Sequence, residues 1–145
     1  DPLKRKAAIE AGADFVIDPH EVKVTKKLKN IVNKETLAAI DFVGSRETVE
    51  FGFNSLSLGG KLIIVGLFGG SFELGIPIFP LKSVSIEGSY VGSLSEMAEL
   101  MDLVSTAKIK SIPLNTAPLS QATQVLKELD KGNIKPDSTE RIYSI

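Results

Sequence analysis

The chain has 145 residues, of which 43% are apolar and 24% are charged, a composition typical of one globular domain with a hydrophobic core. Its net charge of −1 gives no reason to expect nucleic acid or an anionic membrane surface as a partner. The sequence holds no cysteine, which excludes disulfides and thiolate metal ligands, and no apolar run near the roughly 20 residues of a membrane-spanning helix. We therefore expect a cytoplasmic protein, because a chain without disulfides is compatible with a reducing compartment.

The first third of the chain predicts two helices and one short strand. Pro2 suits the first turn of a helix, and Gly12 is suited to cap the end of that helix. The apolar run Phe15–Ile17 predicts a strand. Apolar residues at helical spacing then predict a second helix over Val24–Val32.

Two apolar runs in the middle of the chain predict strands that are buried on both faces. One is Ala39–Val43, and the other is Lys61–Val65, which stops at Gly66. Continuous apolar runs of this kind are typical of a parallel sheet that is covered by helices. A helix that begins at Ser45 or Arg46 is predicted between the two strands.

The second half of the chain continues the alternation of strands and helices. Phe72–Ile78 alternates weakly and predicts an edge segment, and Ser83–Val91 predicts a further strand. Ser95 is expected to cap a helix, a last helix is predicted over Pro118–Gly132, and Arg141–Ile145 predicts the final strand. The whole pattern predicts an α/β fold with a parallel sheet and helices on its faces.

Few side chains of the sequence predict chemistry of their own. His20 is the one histidine, and a metal site needs about three or four convergent ligands. We interpret His20 as a surface loop residue, with a ligand or proton-transfer role as the alternative. The sequence contains no Gly-x-Ser-x-Gly elbow and neither of the glycine-rich phosphate-binding motifs, so hydrolase chemistry is not expected. Gly66–Gly70 is interpreted as a tight turn rather than a phosphate loop.

Three predicted strand ends finish beside a glycine, at Gly44, Gly66 and Gly92. If the strands are parallel neighbours, these ends lie along one rim of the sheet, where α/β proteins bind ligands. Such a rim suits a planar, partly apolar ligand that is held by backbone groups. The alternative is that the glycines serve turn geometry alone, and the pattern leaves both interpretations open.

In this order, the segments resemble the medium-chain dehydrogenase/reductase family and, within it, the zinc-type alcohol dehydrogenases. The most specific likeness is that of Leu58–Gly66 to the fifth strand of the family's cofactor-binding domain. Ala39–Gly44 is similar to its fourth strand and Ile86–Ser93 to its sixth. Lys4–Ile17 resembles the family's "GAD" segment, and Pro118–Gly132 resembles the helix that returns to the catalytic domain.

The resemblance implies an incomplete Rossmann-like fold, a doubly wound parallel sheet with helices on both faces. Residues 1–115 would form a partial dinucleotide-binding domain that lacks its first strand, Gly-rich turn and second strand. Residues 116–145 would form the helix and strand that return to the catalytic domain. That domain, with its zinc ligands, would precede this chain, which begins at Asp1 rather than at Met and is expected to start inside a longer protein.

The resemblance also implies a cofactor and its contacts. NAD or NADP would bind along the strand-end rim, zinc would bind only in the catalytic domain, and no residue of this chain would be catalytic or ligate metal. The implied cofactor-binding residues are Phe42, Val43, Gly44, Val65, Gly66, Leu67, Ser89, Tyr90, Val91, Arg141 and Lys4. Arg141 follows Glu140 where the family usually has glycine, and it would contact the pyrophosphate. Lys4 is either an adenosine-ribose contact or a solvated helix charge.

The implied function is that of part of an NAD(P)-dependent oxidoreductase that transfers hydride between an alcohol or aldehyde and nicotinamide. The chain alone is expected to be inactive. The alternatives are a zinc-free quinone-type reductase of the same superfamily and a non-catalytic truncated fold or oligomerisation module. Residues 73–91 would supply a homodimer contact. Because strands are missing beside Ala39–Val43, we expect Phe15–Ile17 to pair there or with another chain.

Overall fold

The computed structural model describes residues 2–32, 35–106, 116–133 and 141–143. The chain forms two compact units. The terminal unit comprises Asp1–Asp18 and Ser93–Ile145, and the middle unit comprises Pro19–Gly92. Within the described ranges, every helix is too short or too polar to cross a membrane.

The described elements confirm the predicted α/β class. In chain order they are α1 (Pro2–Ala11), α2 (Val24–Val32), β1 (Ala38–Asp41), α3 (Arg46–Ser55), β2 (Lys61–Ile64), α4 (Ile78–Lys82), β3 (Ser85–Gly88), α5 (Leu94–Ser105), β4 (Thr116–Pro118), a 3₁₀ turn (Leu119–Gln121), α6 (Ala122–Asp130) and β5 (Arg141–Tyr143). The middle unit holds α2 to β3, and the terminal unit holds the others.

The middle unit is built on a three-stranded parallel sheet in the order β1-β2-β3. Ala39 lies opposite Leu62, and Leu62 lies opposite Ile86. Since all three strands run in the same direction, their carboxyl ends meet at one edge of the sheet. The sequence predicted this parallel arrangement, and the register confirms it.

The core of the middle unit lies between α3 and the sheet. Its buried apolar residues are Val49, Phe53, Leu56, Leu62 and Val84. Phe53 and Leu62 are 1% and 0% exposed, and the Phe53 ring meets the Phe79 ring with centroids 6.1 Å apart. The apolar face of α3 therefore fixes the helix on one side of the sheet, with its N-terminus next to the carboxyl end of β1.

In the terminal unit, a glycine ends α1 and a serine cap begins α5. α1 ends at Gly12 as predicted, where φ is +114° and the Gly12 amide donates to the carbonyl of Ile9. The expected cap at Ser95 is wrong, because α5 is capped two residues earlier by Ser93. Ser93 and Glu96 form a reciprocal capping box, which satisfies two amides that would otherwise lack partners.

Three further expectations were wrong. Phe15–Ile17 is not a strand, and among the described residues β1 pairs with β2 alone, so the expected pairing beside Ala39–Val43 is not observed. The alternative, pairing with another chain, stays a prediction. Phe72–Ile78 is not an edge strand either. Phe72 and Leu74 pack against the core without strand pairing, and Pro77 supplies no amide for a ladder and precedes α4, which was not predicted.

The end of the chain also differs from the prediction. Thr116–Pro118 forms β4, which pairs in parallel with β5, and Thr116 lies opposite Arg141. The last helix therefore starts after Pro118 rather than at it, through the 3₁₀ turn. The final two residues of the predicted strand Arg141–Ile145 lie outside the described residues.

Candidate functional site

The carboxyl edge of the sheet brings three segments of the middle unit together. Asp41, Ile64 and Gly88 share one register row at the ends of β1, β2 and β3. The amide of Val65 donates to the Asp41 carbonyl at 2.9 Å, and the amide of Ser89 donates to the Ile64 carbonyl at 2.9 Å. Nine of the predicted site residues follow directly after this row, namely Phe42, Val43, Gly44, Val65, Gly66, Leu67, Ser89, Tyr90 and Val91.

Two glycines at this edge pack main chain against main chain. A Cβ atom built on Gly44 would lie 2.0 Å from the carbonyl oxygen of Gly66, and one built on Gly66 would lie 2.1 Å from the carbonyl carbon of Val43. Gly44 also has a φ of +72°, which disfavours other residues. Close approach thus requires glycine at both positions, and the positive φ is a second reason at Gly44 alone.

Hydrogen bonds also join the segment after β1 to the segment after β2, beyond the contact between the two glycines. The Phe68 amide donates to the Val43 carbonyl and the Gly69 amide donates to the Gly44 carbonyl, both at 3.0 Å. Ser45 and Gly69 form an isolated parallel bridge. Gly66–Gly70 therefore runs alongside residues 43–45 and extends the β1–β2 pairing, so its interpretation as a tight turn is wrong.

Asp41 organises the turn after β1, and the sequence prediction missed it. The residue is 7% exposed, and its Oδ1 accepts hydrogen bonds from the amides of Val43 (2.9 Å) and Gly44 (3.1 Å). Its Oδ2 accepts from the Thr48 hydroxyl at 2.8 Å. The available signal was a single carboxylate inside the apolar run Ala39–Val43, since a buried charge requires hydrogen-bond partners.

The N-terminus of α3 beside this turn is occupied by the protein's own groups. Ser45 Oγ accepts from the Thr48 amide, and the Ser45 amide donates to Thr48 Oγ1, which completes a capping box. The amide of Glu47 itself and then the Ser45 hydroxyl hold the pKa of the Glu47 carboxyl below its usual value. The side chains thus use amides that could otherwise bind a phosphate.

The surface of the edge is apolar and open. Phe42, Leu67, Tyr90 and Val91 are all more than 70% exposed. Val91 adopts a φ of +49°, which is an outlier for a β-branched residue. Exposed apolar side chains around free strand ends can cover one face of a flat ring.

A small cleft beside the edge is too small for a nucleotide. Its volume is about 50 Å³, well below the several hundred Å³ of ordinary ligand pockets. The lining residues are Gly44, Ser45, Arg46, Val49, Gly69, Gly70, Ser71 and Phe72. The cleft alone therefore cannot enclose a nucleotide.

Two predicted site residues belong to the terminal unit. Lys4 is exposed on α1, and Arg141 is the first residue of β5, with its side chain outside the described part. His20 lies in the turn before α2, as interpreted from the sequence. In the part of the chain that the structure describes, no three His, Asp or Glu residues come together as a metal site would need.

Comparisons with known proteins identify relatives of this chain. The chain is 33% identical over 133 residues to an alcohol dehydrogenase of Geobacillus stearothermophilus, a match that covers 90% of this chain and 38% of that protein. It is 31% identical over 126 residues to an NAD-dependent alcohol dehydrogenase of Sulfurisphaera tokodaii, which covers 86% of this chain and 36% of that protein. The chain thus spans less than half the length of these relatives.

A solved structure gives the same result for the fold. The crystal structure of the alcohol dehydrogenase from the hyperthermophilic archaeon Aeropyrum pernix superposes with a TM-score of 0.81 at 31% identity, over 98% of this chain and 40% of that chain. This likeness confirms the expected Rossmann-like fold. The family model for zinc-binding dehydrogenases matches residues 1–106, well over half of the sequence. The chain belongs to the zinc-binding dehydrogenase family.

Proposed function

We propose that this chain is the nicotinamide-binding part of an NAD(P)-dependent oxidoreductase. In the intact protein, hydride would pass between the carbon of a small alcohol or aldehyde and the nicotinamide, which supplies the redox chemistry when it is bound. The observation that carries the proposal is the Gly44–Gly66 contact at the carboxyl edge, where main chain packs against main chain between the exposed apolar side chains of Phe42 and Leu67. The NAD dependence named for the Sulfurisphaera relative supports the choice of cofactor class.

Different residues of the edge would make different contacts with the cofactor. Exposed apolar side chains of Phe42, Leu67 and Val91 would cover the ring and exclude water. The main chain of Val43, Gly44, Val65 and Gly66, which internal hydrogen bonds hold in place, would form the surface beneath the ring. Backbone groups of Ser89 and Tyr90 would fix its orientation. Arg141 would contact the pyrophosphate and Lys4 the adenosine ribose.

Catalysis itself would depend on parts of the protein beyond this chain. The catalytic zinc of the family polarises the substrate oxygen, and we assign none of its ligands to these residues. We therefore propose that the chain alone is inactive, and that residues 1–115 form the cofactor-binding part while residues 116–145 return to the catalytic domain. A cytoplasmic location and a homodimer through residues 73–91 belong to the same proposal. The quinone-type reductase and the non-catalytic module stay as the alternatives.

Titration of the full 145-residue chain with NADH, followed through backbone amide NMR shifts, tests the proposal. Micromolar binding that shifts the amides of Gly44, Gly66 and Val91, and leaves Gly59 at the opposite edge of the sheet unchanged, is the expected result. Parallel titration with NADPH decides the phosphate preference. Binding that moves other amides instead would place the site elsewhere, and no binding up to millimolar NADH would favour the non-catalytic module.

A further inference from the structure

The buried carboxylate of Asp41 joins three structural elements at the candidate site. It stands at the last position of β1, its Oδ1 accepts from two amides of the following turn, and its Oδ2 accepts from α3 through Thr48. Hydrogen bonds to an ionised acceptor are roughly twice as strong as neutral ones. One side chain thus connects a strand end, a turn and a helix.

The anchor on α3 is itself held in place. The Thr48 hydroxyl that donates to Asp41 also accepts from the Ser45 amide at 3.1 Å, and Val49, one residue further on, is buried in the core. Thr48 is therefore fixed by a capped and packed helix. A carboxylate bonded to it has little freedom to follow motions of the turn.

The effect of Asp41 extends to the Gly66–Gly70 segment after β2. The Val43 and Gly44 amides are held by Oδ1, and the carbonyls of the same two residues accept from the amides of Phe68 and Gly69. Displacement of the turn after β1 would therefore displace the Gly66–Gly70 segment. The place where Gly44 meets Gly66 depends on both.

We propose that Asp41 is a positioning residue of the cofactor site, which sets the Gly44–Gly66 contact without touching the cofactor. This role rests on the proposed function, because the contact matters for binding only if the nicotinamide lies on this edge. The structural half of the inference, that the carboxylate fixes the turn, stands apart from any ligand.

Amide hydrogen exchange in the full chain measures the structural half. In Asp41→Ala, the Val43 and Gly44 amides should exchange at least roughly tenfold faster, since each loses a charge-assisted hydrogen bond. The Val65 amide serves as an internal reference, because it donates to the backbone carbonyl of Asp41, which the substitution retains. Equal acceleration of all three amides would overturn the inference.

Two further variants separate positioning from stability. Asp41→Asn keeps an oxygen acceptor for the two amides and should retain most of their protection. Leu56→Ala removes a side chain that is 1% exposed at the far end of α3, and it should lower global stability without a selective effect on Val43 and Gly44.

NADH titration of the same variants measures the functional half. Asp41→Ala should weaken binding by roughly tenfold or more, while Asp41→Asn and folded Leu56→Ala stay within about threefold of the wild type. Unchanged affinity in Asp41→Ala would overturn the positioning role. If the wild-type chain fails to bind NADH, the proposed function fails, whereas selective exchange at Val43 and Gly44 still decides whether Asp41 fixes the turn.

Discussion

The carbonyl oxygen of Gly66 lies where a side chain at Gly44 would begin, 2.0 Å from the position of its Cβ atom. The two residues follow the neighbouring parallel strands β1 and β2, so the contact joins segments that are more than twenty positions apart in the sequence. Because the atoms that meet are backbone atoms, a flexible side chain cannot move aside to make room. The two segments therefore meet main chain against main chain at this point.

Gly44→Ala should destabilise the chain far more than Gly59→Ala. Both glycines have a φ of +72°, so both substitutions add the same left-handed strain of about 1 kcal/mol. A Cβ at Gly59 meets nothing within 4 Å, whereas one at Gly44 collides with the Gly66 carbonyl. Urea unfolding should show an extra loss of about 2 kcal/mol or more for Gly44→Ala. Equal losses in the two variants would disprove the backbone contact.

Val91→Asn should stabilise the chain. Asparagine tolerates the left-handed region that Val91 occupies at φ +49°, and Val91 is 78% exposed, so the substitution removes strain without loss of core packing. We expect a gain of about 1 kcal/mol in the free energy of unfolding. Val22→Asn, at another exposed valine outside the left-handed region, is the control and should change stability by less than about 0.5 kcal/mol. A neutral or negative result at Val91 would argue against strain there.

The cap of α5 should make stability depend on acid pH. The amide and then the hydroxyl of Ser93 donate to the Glu96 carboxylate and hold its pKa below its usual value. Because the folded state favours the ionised form, this contribution is complete above the unfolded pKa and disappears as the pH falls through the folded pKa. Glu96→Gln should therefore flatten the acid side of the thermal stability profile.

Glu99→Gln, in the middle of the same helix, removes an equal charge without touching the cap. The two variants should therefore differ in their pH profiles while sharing the same change in net charge. Identical profiles for Glu96→Gln and Glu99→Gln would show that the cap contributes nothing to the acid transition.

A homodimer through residues 73–91 should respond to charge on its apolar side chains. Ile76 is 82% and Leu81 is 76% exposed, so both side chains are accessible to a partner subunit. We expect the wild type to sediment as a dimer and Ile76→Lys as a monomer. Leu58→Lys, at an exposed leucine outside this segment, should leave the dimer intact. A wild-type monomer at high concentration would exclude the interface.

The parts of the fold that sequence patterns predicted are those with local causes. α2 occupies Val24–Val32 as predicted, because four apolar residues at helical spacing suffice to define one face. The Leu-Ile-Ile run after Lys61 likewise predicted the central strand of the sheet. The expected burial on both faces is wrong, because Ile63 is only partly buried and Ile40 in β1 is 55% exposed. Gly12 ends its helix through its own conformational freedom, which requires no distant partner.

The parts that were wrong depend on distant residues. Phe15–Ile17 has the composition of a strand, but a strand forms only where a neighbour offers hydrogen bonds, and the sequence does not encode that neighbour locally. β4 is three residues long and includes a proline, so its existence depends on pairing with β5. Ser93 and Ser95 are equivalent by propensity, and only the position of Glu96 decides between them.

In the candidate site too, the sequence shows the residue types but not the contacts that distant residues make with them. Glycines at strand ends were visible as a pattern, whereas the collision that requires glycine at 44 involves a carbonyl from another strand. Asp41 was visible as one charge in an apolar run, but its three hydrogen-bond donors emerge only when β1, the turn and α3 are in place.

The register of β1 against β2 has a genetic consequence. At most buried positions, a bulkier residue can be accommodated by a smaller residue opposite, so selection can recover function through a second substitution. At Gly44 the opposing atom belongs to the peptide unit that every amino acid shares, and no replacement at position 66 removes it. A search for suppressors of Gly44→Ala should therefore return revertants to glycine rather than compensating pairs, and the two positions should behave as invariant instead of covarying.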